Sequence, residues 1–404
     1  MKKRVVITGM GIVTSLGAGV DATALALKES RSAIDTITSF DASKHRTSQG
    51  GEVDPKILEC GLDENPRFPL GRSSKLLLRA CTEALESAKL ATSEKQYIKA
   101  PLIVGTTLGG MLAGQRYHRA ILLQEDTRKY APLLGDALCR QPFHIASILG
   151  IIGEVIVLNN ACASGLSAIG CAYEHVRLGK TAFAIAGGYD EMSDFTHAGF
   201  NALQLVTSDK CRPFDKNRSG LILGEGAGIV VIEELEHAIK RRAVVYAEII
   251  GYGQTSDAYH ITKPDPKAQG AARAICAATE EALIMPEAID YVNAHGTGTP
   301  SNDIMEAKAL YLALGAYARK VPVSSTKPFT GHLLGAAGAT ESIFSVISLQ
   351  KNIIPENLNL ETPDPECDLN IVTGGSKKQD IKVVLSNSFG FGGSNSAMLF
   401  RKFE

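Results

Sequence analysis

Charge imbalance is nearly absent from this chain: 42 Lys and Arg offset 43 Asp and Glu, a formal net charge of −1 over 404 residues. No global field draws it to nucleic acid or to an anionic membrane; only a local basic patch could do so. The eight cysteines, at 60, 81, 139, 162, 171, 211, 276 and 367, include no C-x-x-C and no zinc spacing, which gives no candidate metal ligands. In a chain this long they read as free thiols in a reducing, cytoplasmic compartment. Val155–Tyr173 carries no charge until its end, but its Asn159-Asn160, its Ser164-Gly165 and its switch from strand to helix composition argue against a membrane span. Lys2-Lys3-Arg4 before an apolar run imitates a secretory signal, yet glycines break the run and a convincing cleavage site is missing. A first strand and turn is the expectation. Gly9-x-Gly11 lacks the third glycine of a dinucleotide fingerprint. Gly179-Lys180-Thr181 has Glu174 where a P-loop needs glycine. Both argue against nucleotide binding.

What is present is an α/β pattern, in which strands alternate with periodic helices, so sheets covered on both faces are expected. The length exceeds one ordinary core. At Val244 the plan restarts: VVYAEIIGYGQTSDA echoes RVVITGMGIVTSLGAGV, and later strands and helices follow in the same order. This is an ordered repeat of about 160 to 200 residues, a duplicated half rather than a solenoid. The expected halves are 1–243 and 244–404.

The first half turns on Val155–Gly170, VIVLNNACASGLSAIG. An apolar β-branched run leads through small residues into a helix, with Cys162 at the turn. A thiol over a helix's first turn meets unpaired N–H groups and partial positive charge, so a lowered pKa and a nucleophilic role are expected. A lone cysteine is more often buried and structural; its partners in the second half decide otherwise. His295 follows a strand in NAHGTGTP. Lys327 and His332 share STKPFTGH, with His332 expected at a helix N-terminus. Asn387–Asn395, NSFGFGGSN, is a glycine-rich turn that can approach a ligand by its backbone. Asp303-x-x-Glu306 looks like a capping box.

Taken together, ACASG at 161–165, NAHGT at 293–297, KPFTGHLLGAAG at 327–338 and the turn at 387–395 resemble the β-ketoacyl-acyl carrier protein synthases of the elongating kind, over essentially the whole length. The resemblance implies the thiolase fold, two duplicated α/β halves in a five-layered αβαβα architecture, usually a homodimer. It implies decarboxylative condensation of an acyl group held on Cys162 with malonyl-acyl carrier protein, in fatty acid or polyketide-type elongation. The backbone N–H groups of Cys162 and Phe391 would form the oxyanion hole. His295 and His332 would donate to the enolate, with Lys327 holding the field around His332 and Glu341 beside it as the lysine's neighbour. Asp303 and Glu306 would support the site. Thr297 and Thr299 would bind the phosphopantetheine arm, with Leu108, Phe200, Phe389 and Phe391 lining its path. That arm belongs to the carrier, so no metal or organic cofactor is implied.

Arg72, Lys75 and Arg79 lie three to four apart on one helix and form a candidate landing face for an acidic carrier. Asn159-Asn160, Ala163 and the segment around Asp136, Arg140 and Pro142 depart from the family pattern and leave chain length and substrate class open. A heterodimer with a chain-length-factor-like subunit is the alternative assembly. A thiolase would need a second cysteine in the glycine-rich turn. A cysteine hydrolase has no place for Lys327 with His332. A non-catalytic subunit should lack Cys162.

Overall fold

The structure, a computed structural model, describes residues 2–59, 70–90, 97–129 and 140–404. Cys60, Cys139 and Asp136 lie outside the described residues. In chain order the first half contributes β1 (Val5–Thr14), α1 (Arg72–Ser87), β2 (Leu102–Gly105), α2 (Met111–Leu122), α3 (Gln141–Ile148), β3 (Val155–Leu158), α4 (Ser164–Arg177), β4 (Phe183–Asp190), α5 (Asp194–Ala202) and β5 (Gly226–Glu234). The second contributes β6 (Ala247–Ser256), α6 (Gln269–Ala282), β7 (Tyr291–Asn293), α7 (Pro300–Leu314), β8 (Pro322–Ser324), α8 (Ala337–Lys351), β9 (Asn370–Ile371), β10 (Val383–Gly390) and β11 (Ser394–Arg401).

The strand order is β9-β8-β7-β10-β11-β6-β1-β5-β4-β2-β3. Outward from the β1–β6 pair it reads β5, β4, β2, β3 on one side and β11, β10, β7, β8 on the other. The duplication seen in the sequence is therefore a duplication of topology. In each half the outer strands run parallel and the inner ones antiparallel. The halves are not separate sheets, however. Val5–Ile7 of β1 pair antiparallel with Ala247–Ile249 of β6 and join both into one sheet.

Gly9-x-Gly11 is not a turn, since β1 runs straight through it and is buried throughout. A Cβ on Gly11 would stand 2.0 Å from the Ala80 carbonyl oxygen, and one on Gly9 2.3 Å from that of Ala84. The absent side chains let α1 lie directly on the strand. The second half repeats the device: Gly253 and Gly251 of β6 face the carbonyl oxygens of Ala274 and Ala278 of α6 at 2.0 and 2.1 Å. Both Gly-x-Gly pairs mark close helix–strand packing rather than ligand contact.

The layers follow. Helix α1 covers the outer face of the first half-sheet, and α6 with α7 covers the outer face of the second. Helices α4 and α8 lie between the half-sheets and pack on each other, which completes the five-layered αβαβα order of the thiolase fold. A middle-layer helix has no solvent side, and every residue of α8 from Ala337 to Leu349 is buried. Its hydroxyls are tolerated because each bonds within the helix: Ser342 Oγ donates to Gly338 O at 2.7 Å, Ser345 Oγ to Glu341 O at 2.8 Å and Ser348 Oγ to Phe344 O at 3.0 Å. Among the described residues no helix is long and apolar enough to cross a membrane.

A methyl group at the strand–helix contact should be costly. Gly11→Ala and Gly253→Ala are expected to lower unfolding free energy by about 1–3 kcal/mol each through overpacking. Gly199→Ala, where nothing lies within 4 Å of the added Cβ, is expected to raise it by about 0.5–1 kcal/mol. Urea unfolding of the three variants checks this; equal effects would contradict the packing assignment.

Candidate active site

The strands' carboxyl ends converge at the seam between the halves. Cys162 follows β3, Asp190 ends β4, His295 follows β7, Lys327 and His332 follow β8, and Phe389 and Phe391 end β10 and its turn. Open α/β sheets present ligand sites at these ends.

The Cys162 turn is sharp. Ala161 sits at φ 54°, left-handed without being glycine. Ser164 Oγ holds it, accepting from Asn160 N at 2.9 Å and donating to Ala161 O at 2.6 Å. Asn160 is more than a departure from a pattern: its amide donates to Ser167 Oγ at 2.8 Å and to Ser394 Oγ at 2.9 Å, which ties the turn to β11. Ser388 Oγ donates to Cys162 O at 3.0 Å.

The lowered thiol pKa expected from the helix terminus is overturned. Burial pushes Cys162 up to about 11, and Lys327 with the N–H groups of Phe391 and Cys162 itself only pulls it part of the way back. Desolvation outweighs the helix end, whose field is worth about 0.3–1 kcal/mol, or up to about 2 kcal/mol in a partly buried site. The two N–H groups that face the sulfur are those assigned to the oxyanion hole.

Both imidazoles are buried, and their pKa values fall well below the ordinary value, through desolvation first and Lys327 second. They stay neutral at neutral pH. Lys327 lowers the His332 pKa by its charge, as expected, but its hydrogen bond goes to the other imidazole. Its Nζ lies 3.2 Å from His295 Nδ1 and 2.6 Å from Glu341 Oε1. An ammonium only donates, so His295 Nδ1 accepts and Nε2 carries the proton. His332 Nδ1 accepts from Leu334 N at 3.3 Å, which places its proton on Nε2 as well. The rings meet edge to face at 5.4 Å. His332 does not open a helix: α8 begins at Ala337, and His332 is pinned by backbone bonds from its N to Ile222 O at 2.7 Å and from Gly224 N to its O at 3.0 Å.

Asp303 and Glu306 are not a capping box. Thr299 precedes the first residue of α7, and both carboxylates face the loop before it. Glu306 accepts from His295 N at 2.8 Å and Gly296 N at 2.7 Å. Asp303 accepts from Phe214 N at 2.8 Å and Gly298 N at 3.2 Å. They fix the backbone that carries His295, Thr297 and Thr299. Asp190 does the same opposite and was not singled out from the sequence. It accepts from Thr106 Oγ1 at 2.7 Å, Thr107 N at 2.8 Å, Leu108 N at 2.9 Å and Gly335 N at 2.6 Å. Its one signal was an acid at the end of an apolar strand.

A cavity of about 320 Å³ reaches the thiol, lined by Cys162, His295, His332, Thr297, Thr299 and Phe389 among others. Thr297 and Thr299 hydroxyls bond each other at 2.8 Å. Phe391 and Phe200 line the cavity and stack at 5.6 Å. Leu108 does not line it; it packs in the apolar cluster with Met192, Leu221 and Leu334, against which Phe200 also rests. The docking face also changes. Arg72 pairs with buried Glu225, its Nε at 2.8 Å from Oε2, and keeps 19% of its side chain exposed. A buried carboxylate needs that cation, so Arg72 is spent inside the fold. Lys75 and Arg79 are half-buried on the same helix.

Comparison with known proteins follows the same lines. The model of the β-ketoacyl synthase N-terminal domain matches residues 2–238, and that of the C-terminal domain matches 246–361. The chain is similar to 3-oxoacyl-[acyl-carrier-protein] synthase 2 of Synechocystis sp., 39% identical over 412 residues, covering 100% of this chain and 99% of the relative. It is equally similar, at 39% over 415 residues and the same coverage, to the synthase of that name from Staphylococcus aureus. Among solved structures it resembles the ishigamide ketosynthase/chain length factor (TM-score 0.94, 31% identity, 100% of both chains) and a beta-ketoacyl synthase from Burkholderia phymatum (0.89, 33%, 100% of both). It also resembles AntDE:AntF, a type II polyketide synthase acyl-carrier protein in complex with its ketosynthase (0.88, 27%, 100% of both).

With its thiol pushed up to about 11, Cys162 should alkylate slowly at neutral pH. The iodoacetamide rate at Cys162, followed by peptide mass spectrometry, is expected to keep climbing through pH 9, because only the thiolate reacts. A plateau reached below about pH 8 would show that the helix terminus wins over burial.

Proposed function

Because the chain belongs to the β-ketoacyl synthase family, we propose that it holds an acyl group on Cys162 and condenses it, with loss of carbon dioxide, onto a malonyl unit carried by an acyl carrier protein. The observation that carries this reading is one cavity in which a thiol meets two neutral imidazoles, each with its proton on Nε2.

In the first step Sγ attacks the donor thioester. The carbonyl oxygen becomes an oxyanion facing the N–H groups of Cys162 and Phe391. One such donor is worth about 2.7–4 kcal/mol. The carrier's thiol leaves with the proton that Cys162 gives up. In the second step the malonyl C–C bond to the carboxylate breaks, carbon dioxide departs and the electron pair forms an enolate. The two Nε2–H groups donate to its oxygen. The enolate carbon attacks the acyl carbonyl, Cys162 leaves as thiolate and takes up one proton, and a 3-oxoacyl thioester remains. The thioester carbonyl itself takes up the electron pair, so the chemistry asks for no further cofactor; the phosphopantetheine arm is the carrier's. The six described cysteines are free thiols, which supports a reducing, cytoplasmic setting.

A homodimer fits the surface. Strand β3 ends the sheet, and Phe143, Ile148 and Ile152 near it are 54%, 49% and 52% exposed. A hydrogen-bonding edge beside exposed apolar side chains suits a second copy. The likeness to the ishigamide ketosynthase/chain length factor supports a second reading, in which this chain is the catalytic half of a heterodimer.

The test pairs intact-protein mass with carbon dioxide release, using acyl- and malonyl-carrier thioesters. Among the described residues no hydrogen bond joins Sγ to either imidazole, so His295→Ala and His332→Ala should still become acylated, if slowly. Carbon dioxide release should fall by about two orders of magnitude or more. Cys162→Ala should accept no acyl group. Acylation lost with decarboxylation intact in either histidine variant would make that histidine the thiol's base. Product formation only after a second subunit is added would favour the heterodimer.

A further inference from the structure

We propose that Lys263 binds the phosphodiester at the head of the carrier's phosphopantetheine arm, an inference that rests on the condensing reading above. Among the described residues, Lys263 is the one Lys or Arg in the lining of the cavity that reaches Cys162. Its side chain is exposed at the mouth, and no described residue supplies its ammonium with an ion-pair or hydrogen-bond partner. The carboxylate in the same lining, Asp257, is committed: Oδ1 accepts from Asn395 Nδ2 at 2.7 Å and Oδ2 from Asp265 N at 3.1 Å.

The loop that presents Lys263 is built rather than loose. His260 Nδ1 accepts from Thr262 N at 3.0 Å and Lys263 N at 3.2 Å. Ile261 O accepts from Gly392 N at 2.8 Å, which fastens this loop to the residue after Phe391. The same cavity is lined by Ser301 and Asn302, in the first turn of the fifteen-residue α7. Their backbone N–H groups fall at positions with no intrahelical acceptor, and the helix dipole adds positive potential there.

The polarity along the cavity matches the arm. Its buried end holds Cys162 and the imidazoles, for the thioester. The buried hydroxyls of Thr297 and Thr299 suit neutral amides. Pro300 and Lys263 are exposed, where a phosphodiester would emerge toward the carrier. A phosphate beside an unpaired ammonium gains a charge-assisted contact that an uncharged arm lacks.

The experiment follows acyl transfer to Cys162 from three donors with the same acyl group: a pantetheine thioester, a 4′-phosphopantetheine thioester and the carrier thioester. The wild type should prefer the phosphorylated arm over pantetheine by about three- to tenfold in kcat/KM, less at high salt. Lys263→Ala should lose that preference and a similar factor with the carrier, while its pantetheine rate is unchanged; Lys263→Arg should keep the preference. Equal preference in wild type and Lys263→Ala would overturn the proposal. So would a loss confined to the carrier donor, which would assign Lys263 to the carrier's acidic surface instead. No transfer from any donor to wild type would contradict the condensing reading itself.

Discussion

A charged pair is buried at the centre of this molecule. Lys327 and Glu341 lie 2.6 Å apart with 1% and 4% of their side chains exposed. Such a pair is no asset to stability by itself, because stripping water from each ion costs several kcal/mol. What it gives is direction. Glu341 is held in the middle of α8, the fully buried helix between the half-sheets. It fixes the ammonium, and the ammonium holds His295, which lines the cavity, so that Nδ1 accepts and Nε2 carries the proton. The same positive charge, added to burial, keeps both imidazoles neutral. A neutral donor meets the developing enolate without adding a charge that would also bind the ground state.

The duplication makes this possible. Neither half holds the site alone: the thiol comes from the first, the imidazoles and the ammonium from the second. The polar ties across the seam are short and specific, from Asn160 to Ser394 and from Ser388 to Cys162. Glycines set the separation of the middle helices. A Cβ on Gly165 would stand 2.6 Å from Gly335 O, and one on Gly338 2.7 Å from the Leu166 Cβ. Asp190 then joins the loop after β2 to the start of the α8 segment. Catalytic geometry and core packing are thus one problem here, and both are solved with small residues and buried, bonded polar groups.

Much of this was legible in one dimension because the relevant signals are local. A β-branched run followed by ACASG announces a strand, a tight turn and a helix, and the restart at Val244 announces the second half. What was misread depends on neighbours distant in sequence. Lys327 precedes His332 by five residues and does lower its pKa by charge, which suggested that its contacts lie there as well. Yet β7 and β8 pair in parallel with Asn293 beside Ser324, so the chain just past each strand end is shared, and the lysine meets His295. Arg72 belongs to a basic helix face by periodicity, but Glu225, just before β5, claims it from a distant part of the chain. The thiol's pKa direction follows from burial by both halves, which no local motif reports. Asp190 carried only the signal of an acid ending an apolar strand.

The claim that Lys327 sets a neutral, Nε2-protonated His295 is open to direct inspection. Nitrogen NMR of histidine-labelled protein, assigned through His295→Ala and His332→Ala, reads tautomer and charge at each ring. Near neutral pH both rings should be neutral with the proton on Nε2, and Lys327→Ala should change the His295 signals more than those of His332. A His295 ring that carries its proton on Nδ1, or is charged at neutral pH, would contradict the account.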